Sequence, residues 1–307
     1  MNTTGMAQSR TAGQVKGYML VAGAYVVFGA IGALVNYARA PESILLALRF
    51  TIAAVVLALP LARRRTLAEI LRSGIWWRVL LMGILDATAL LCLFIALRET
   101  GVAAGMFLFF TGPVFVALLA PALTGQATDR VVWLSLVLAL AGLLLILMPA
   151  FAGTQVCFSI YGVVAGLTGA IVWAFFMMVM KGLTRTVSSS ALVFAECVLD
   201  CLLLLPLGLW QMAASDYVLT GRDMLSAAIL GVVCTAFAYW VFVAGVGLIR
   251  VQHSSILGYL EPVTAPLYAL VFLGERPVVW TLGGGVLILL AGVLVVMFGK
   301  AEEEMHP

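Results

Sequence analysis

The chain is short of charge. Asp, Glu, Lys and Arg make up 10% of its 307 residues, where soluble domains carry about a quarter. So little charge cannot wet a closed surface, which excludes a soluble globular protein. Histidine is scarcer still: outside the C-terminal tail there is only His253, which is expected to stay solvated in a loop beside Arg250. Cysteine is scattered, at Cys92, Cys157, Cys197, Cys201 and Cys234, and four of the five lie inside apolar runs. Such thiols behave as small apolar side chains, so neither a disulfide framework nor a metal site is expected. Also missing are an HExxH pair, an acid cluster of the DDxxD kind, a Walker loop and a Ser-His-Asp set. No catalytic residue and no cofactor is therefore expected. Period-two alternation is missing too, which excludes a β-barrel.

What the chain does have is apolar length. Apolar residues make up 64% and the mean hydropathy is +1.15. A bilayer core of about 30 Å needs roughly 20 apolar residues per helix. Runs between turn and charge signals fall near 17–36, 44–62, 79–98, 102–123, 131–149, 159–180, 191–211, 224–247, 254–273 and 278–298. Connections are short, leaving no room for a separate extramembrane domain. The segment before Gly17 is short and polar and the first run is long enough to stay as a helix, so no cleavable signal peptide is expected. The net charge of +3 does not point to nucleic acid, because the basic residues sit in loops rather than on one face.

Those basic residues set an expected orientation. With the N-terminus in the cytoplasm, the inner side holds Arg10, Lys16, Arg63, Arg64, Arg65, Arg72, Arg78, Arg130, Lys181, Arg185, Arg250 and Lys300. The outer side holds only Arg39, Arg98, Arg222 and Arg276, and both termini face the cytoplasm.

The same pattern also appears twice. FLFFTGPVFVALLAPALTGQ around Pro113 answers ILGYLEPVTAPLYALVFLGE around Pro262, 149 residues later. MGILDATALLCLFIAL from Met82 answers LGVVCTAFAYWVFVAG from Leu230, and GYMLVAGAYVVFGA from Gly17 answers GVVAGLTGAIVWAF from Gly162. Five helices per half is an odd number, so the second half must enter the membrane from the opposite side. The expected fold is an all-α membrane protein of ten transmembrane helices in two inverted five-helix repeats. The divisions are a cytoplasmic N-terminal tail (1–15), a first repeat (16–150), a second, inverted repeat (151–299) and a cytoplasmic C-terminal tail (300–307). Inverted halves are the architecture of alternating-access transporters, although duplication also occurs in channels and membrane enzymes. With no nucleotide-binding motif, uphill movement would have to draw on an ion gradient or on exchange.

Ionisable side chains inside a bilayer cost roughly 2.5–3.5 kcal/mol on insertion scales, so the few present are candidates for use. Arg49 lies inside the second run, as a donor for a substrate carboxylate or as a structural partner for an acid on a neighbouring helix. Glu261 directly precedes Pro262, which removes an amide donor and loosens the turn before it. It reads as a proton or substrate-amine site, or as an acid that snorkels or pairs with Arg49. Asp86 reads as a second coupling candidate or as a vestibule residue about a quarter of the way across. Glu196 and Asp200 share one helix face without further polar company and read as non-site acids. Phe28, Trp173, Tyr239, Trp240 and Tyr259 lie mid-run, where a cavity for an amphipathic solute, lipid contact or helix packing would each suit them. Trp76, Trp77, Trp133 and Trp280 lie near run ends, as interface belts do. Small residues are dense in the first and last runs and read as packing surfaces.

Several of these segments resemble the EamA-type transporters of the drug/metabolite transporter superfamily. The resemblance rests on AGAYVVFGA, TGAIVWAFF, LALRFTIAAVVL, AFAYWVFVAGVGLIRVQHSSILGYLEPVTAPLYALVFLGERP and ILLAGVLVV, and it covers residues 17–298. Within that family the chain is most similar to YddG-type bacterial amino-acid exporters. The resemblance implies a multi-pass protein of the bacterial inner membrane that exports small amphipathic metabolites, amino acids with aromatic ones among them. It implies a central cavity with Phe28, Arg49, Trp173, Tyr239, Trp240, Tyr259 and Glu261 as lining residues. The implied partners are a small-molecule substrate and membrane lipid, with a homodimer as an option. Gly112 stands where Glu261 would be in the first half, and Gln126 where Glu275 would be, so any role of Glu261 is asymmetric. Glu275 itself reads as a loop or helix-end contact.

Overall fold

The computed structural model describes residues 3–61, 74–125, 127–153, 159–215, 217–274 and 278–300. Every regular element among them is helical. The first half contains α1 (Thr3–Phe28), α2 (Ala30–Tyr37), α3 (Glu42–Leu61), α4 (Trp76–Thr100), α5 (Val102–Phe109), α6 (Gly112–Thr124) and α7 (Arg130–Gly153). The second contains α8 (Ile160–Leu183), α9 (Ser189–Ser215), α10 (Gly221–Ile229), the π-helix α11 (Leu230–Tyr239), α12 (Trp240–Val246), α13 (Val251–Leu257), α14 (Leu260–Leu273) and α15 (Val279–Phe298). Where broken helices are joined end to end, nine spans among the described residues are long and apolar enough to cross a bilayer. A tenth apolar helix, Ser43–Ala58 within α3, is shorter. In hydrocarbon each backbone group must bond within its own segment, which is why long apolar runs of Leu, Ala and Val become helices.

The helices break at matching places in the two halves. Proline lacks an amide hydrogen and its ring crowds the carbonyl four residues back. Pro113 therefore stops α5 at Phe109, and Pro262 stops α13 at Leu257. The chain resumes as α6 and α14, which end at glycines in the left-handed conformation, Gly125 (φ 69) and Gly274 (φ 73). The two break points touch: the Tyr259 hydroxyl donates to the Phe110 carbonyl at 2.6 Å, and the two rings lie 6.0 Å apart.

Helix packing follows the same correspondence. α4 lies along α8, as α1 lies along α11 and α12; α3 packs on α9, and α7 on α15. The last pair meets backbone to backbone. A Cβ on Gly142 would come 2.6 Å from the Gly284 carbonyl oxygen, so only glycine fits the crossing. Buried residues form a large core around Tyr25, Met82, Met177 and Phe242, and a smaller one where α7, α13 and α15 meet. Leu134, Val137, Leu144, Val286, Leu289 and Val293 face outward from α7 and α15. An apolar exterior of this extent suits lipid and not water.

α1 begins at Thr3, within the stretch expected to form the N-terminal tail. Two expectations need correction. His253 is not solvated: it lies in the first turn of α13, fully buried, with its Nδ1 2.6 Å from the Tyr18 hydroxyl. Asp86 is ten residues into α4, about 15 Å along its axis at 1.5 Å per residue, and so is deep rather than shallow. The basic residues Arg63, Arg64, Arg65, Arg72 and Arg276, together with Cys157, Gln126, Glu275 and the tail beyond Lys300, lie outside the described residues.

Candidate functional site

A cavity of about 550 Å³ lies between the halves, walled by α1–α6 from one and α8, α9, α11, α12, α13 and α14 from the other. Pockets of roughly 300–1,000 Å³ hold small organic ligands. Its walls are mostly aromatic and aliphatic, with Tyr25, Phe28, Phe50, Phe94, Phe109, Phe110, Trp173, Phe176, Tyr239 and Phe242 contributing rings. Tyr25, Phe28 and Phe242 meet edge to face, with centroids 5.1–6.0 Å apart. Such contacts hold a wall in shape without using its faces for hydrogen bonds.

The charged groups in this wall are few. Arg49 of α3 donates from Nε to the Thr235 hydroxyl at 2.6 Å, and its guanidinium carbon lies 5.4 Å from the Phe50 ring centre. Thr235 in turn donates to the Leu230 carbonyl, five residues back, at 2.9 Å. This hydroxyl bond spans the same five residues as the backbone bonds of the π-helix α11 in which both residues lie, a form frequent at functional sites. Among the described residues the Thr235 contact is the guanidinium's single hydrogen bond, and no carboxylate lies within 4.0 Å of it. Glu261, in the first turn of α14, also lines the cavity and has no side-chain hydrogen bond among the described residues. The pairing of Arg49 with Glu261 is therefore not made. Each keeps its hydrogen-bonding capacity toward the cavity.

A second acidic group forms the wall on the α4 and α9 side. Asp86 and Glu196 both line the cavity, and with Asp200 behind them their carboxylate oxygens lie within 4.8 Å of one another. Glu196 is 2% exposed and accepts the Tyr239 hydroxyl at 2.5 Å. Glu196 and Asp200 thus have the polar company that sequence spacing gave no sign of, because it comes from other helices: Asp86 from α4 of the other half and Tyr239 from α11.

Of the sequence candidates, Phe28, Arg49, Asp86, Trp173, Tyr239 and Glu261 are brought together in this wall. Trp240 and Tyr259 are not among its lining residues. Trp240 follows Tyr239 by one residue, points away from it and is 42% exposed on the outer surface. Tyr259 is 0% exposed, held in the smaller core by its bond to Phe110. The asymmetry at Gly112 also has a steric cause. A Cβ there would lie 2.7 Å from the Trp173 ring, so the indole occupies the space a side chain would need. Sequence reading missed Tyr25, although it lies one helical turn before Phe28 and so on the same face. It also missed Thr235, whose signal exists only through the π-helical turn.

The ends of the protein differ. On one side the wall runs out to Val35, Asn36, Leu97 and Val102. Near that end Asp223 accepts the Arg39 and Ala40 amides at 2.8 and 3.0 Å, tying the turn before α3 to the start of α10. At the opposite end Lys181 donates to the Val246, Gly247 and Ile249 carbonyls at 2.8–3.1 Å, closing α8 onto the end of α12. There Asp129 lies 3.5 Å from both Arg250 and Lys300.

This geometry accompanies a clear set of relatives. The model of the EamA-like transporter family matches twice, over residues 15–148 and 160–298. The chain belongs to the EamA-like transporter family and is a multi-pass membrane protein. It is 28% identical over 239 residues to the uncharacterized transporter YwfM of Bacillus subtilis, covering 76% of this chain and 77% of that one. An uncharacterized transporter of Archaeoglobus fulgidus is 33% identical over 203 residues, covering 65% of this chain and 68% of its own. A solved crystal structure superposes with a TM-score of 0.77 at 19% identity, over 95% of this chain and 99% of that one, which concerns the fold alone. The Bacillus and Archaeoglobus relatives are named as transporters, in keeping with a protein that moves solutes rather than transforming them.

Proposed function

We propose that the chain exports small amphipathic metabolites across the bacterial inner membrane, amino acids with aromatic ones among them, by alternating access through the central cavity. The observation that carries this reading is the cavity wall: an aromatic enclosure holding one arginine without an acid partner and separate carboxylates at Glu261, Asp86 and Glu196. A zwitterion presents both charges on one carbon beside an apolar side chain. Arg49 is suited to its carboxylate, Glu261 or Asp86 to its ammonium, and the rings of Phe28, Trp173 and Tyr239 to its side chain.

In this reading the ten apolar runs all span, residues 16–150 and 151–299 form inverted repeats, and both termini are cytoplasmic. The pairing of helices between halves and the double family match support that arrangement. The wall reaches Val35 and Val102 beside turns that the positive-inside pattern assigns to the outside, while the Lys181 and Asp129 contacts close the cytoplasmic end. The state described is then outward-facing.

Export can be tested in cells. Bacteria overproducing the chain are expected to tolerate p-fluorophenylalanine at severalfold higher concentration than those carrying an empty vector, and to release more phenylalanine into the medium. Unchanged tolerance and release from correctly inserted protein would count against amino acids. Tolerance gained instead to cationic drugs would move the substrate to that class.

A further inference from the structure

The acidic group at the edge of the cavity asks for something the protein itself does not supply. Asp86 comes from α4 in the first half, and Glu196 and Asp200 come from α9 in the second. Their nearest carboxylate oxygens all lie within 4.8 Å of one another. Like charges that close in a low-dielectric interior cannot all stay ionised and uncompensated. Glu196 has one compensating contact, from Tyr239. Asp200 has none among the described residues. It is 0% exposed, and neither of its oxygens finds a hydrogen-bond partner among them, although both are acceptors sealed from solvent. Buried carboxylates of this kind are paired or coordinate metals.

We propose that Asp86, Glu196 and Asp200 bind a divalent cation of about the size of Ca²⁺ between the two halves, beside the substrate cavity. Size, charge and access each point this way. Three oxygens no more than 4.8 Å apart can be reached from one centre at ~2.8 Å or less, close to the 2.3–2.6 Å of Ca²⁺–oxygen bonds. The donor set is all oxygen, which hard cations prefer and soft ones do not. The other charge facing the group is Arg49 of α3. Three carboxylates against one guanidinium leave two negative charges, which one divalent ion balances and one monovalent ion does not. Asp86 and Glu196 line the cavity, so an ion entering there passes them to reach Asp200. Bound at that point, it ties α4 of one half to α9 of the other, the boundary that must shift when access alternates.

The test needs no transport assay, so it stands or falls apart from the amino-acid reading. The full chain, purified in detergent and stripped with a chelator, is titrated with Ca²⁺, following radioactive Ca²⁺ retention and melting temperature. The expected result is saturable binding of about one Ca²⁺ per chain with a rise in melting temperature, and weaker binding of the smaller Mg²⁺. Asp200→Asn is expected to lower Ca²⁺ affinity at least tenfold while the chelated protein melts as cooperatively as the wild type, because a buried charge is lost. Asp86→Asn, at the cavity surface, is expected to do the same and serves if Asp200→Asn does not fold. No saturable Ca²⁺ binding by the wild type overturns the proposal, as does wild-type affinity in both variants. Stabilisation by Na⁺ alone or by acid alone overturns it too, assigning the group to a monovalent ion or to shared protons.

Discussion

An arginine in the middle of a membrane helix is costly to insert, by roughly 2.5–3.5 kcal/mol, and a structural role would offset that cost with an acid partner. Arg49 has a threonine, an aromatic face and a cavity instead. Glu261 stands in the same wall, its carboxylate without a hydrogen bond among the described residues. Arg49→Gln and Glu261→Gln are each expected to insert and melt like the wild type while transport falls about tenfold, equal to ~1.4 kcal/mol per lost interaction. Trp240→Ala changes an aromatic residue of α12 that is exposed on the outer surface rather than lining the cavity, and is expected to leave transport within about twofold. If the Trp240 change costs as much as the Arg49 change, the cavity assignment is wrong. Much of this was legible residue by residue: an ionisable group in a long apolar run stands out by its cost alone. The acids of α9 were not, because their company comes from Asp86, more than a hundred positions away. His253 was misjudged for a related reason: a polar residue beside an arginine reads as loop until Tyr18 is seen to reach it.

At the scale of elements, the π-helix α11 has the clearest consequence. Its five-residue hydrogen-bond step turns Thr235 toward Arg49 and Tyr239 toward Glu196 in the same wall. Thr235→Val keeps the shape and removes the acceptor that orients the guanidinium. Half-saturation for substrate is expected to rise by about three- to tenfold with the maximal rate little changed. An equal fall in maximal rate without a change in half-saturation would mean that Thr235 does not act through binding. The crossing of α7 and α15 is an independent case. Gly142→Leu forces a side chain onto the Gly284 backbone, which cannot retreat as a flexible side chain could, and overpacking costs about 1–3 kcal/mol or more. A lowered melting temperature is expected, whereas Gly283→Ala, with open space around its Cβ, is expected to be neutral. Helix extents were readable from runs of apolar residues, and the loosened turn before Pro262 from that proline; the matching break before Pro113 was not read, because 102–123 looks like one continuous apolar run. The π-helix was not, because LGVVCTAFAY carries no residue that distinguishes a five-residue from a four-residue step.

For the whole molecule, the correspondence of the halves makes a claim about direction. Trp76 opens α4, directly after the connection between the second and third helices of the first half, and Val218 lies in the corresponding connection of the second half; both are exposed. With the native cysteines replaced, a cysteine at Trp76 is expected to react with a membrane-impermeant reagent only from the cytoplasmic side, and one at Val218 only from outside. Labelling of both from one side would make the repeats parallel. The two-fold correspondence was visible in the sequence because the Pro113 and Pro262 segments align without gaps. The substrate was not, since a cavity is a property of the space between helices.

The central claim is that this cavity carries amino acids from one side of the membrane to the other, and counterflow in proteoliposomes tests it most directly. Vesicles containing the purified chain are loaded with unlabelled phenylalanine, diluted into trace radiolabelled phenylalanine, and compared with protein-free vesicles and with Arg49→Gln. The account predicts a transient accumulation of label above equilibrium that requires internal phenylalanine, with an initial rate about tenfold lower in the variant. Label entering no faster than in protein-free vesicles, while the protein is folded and correctly inserted, would contradict it.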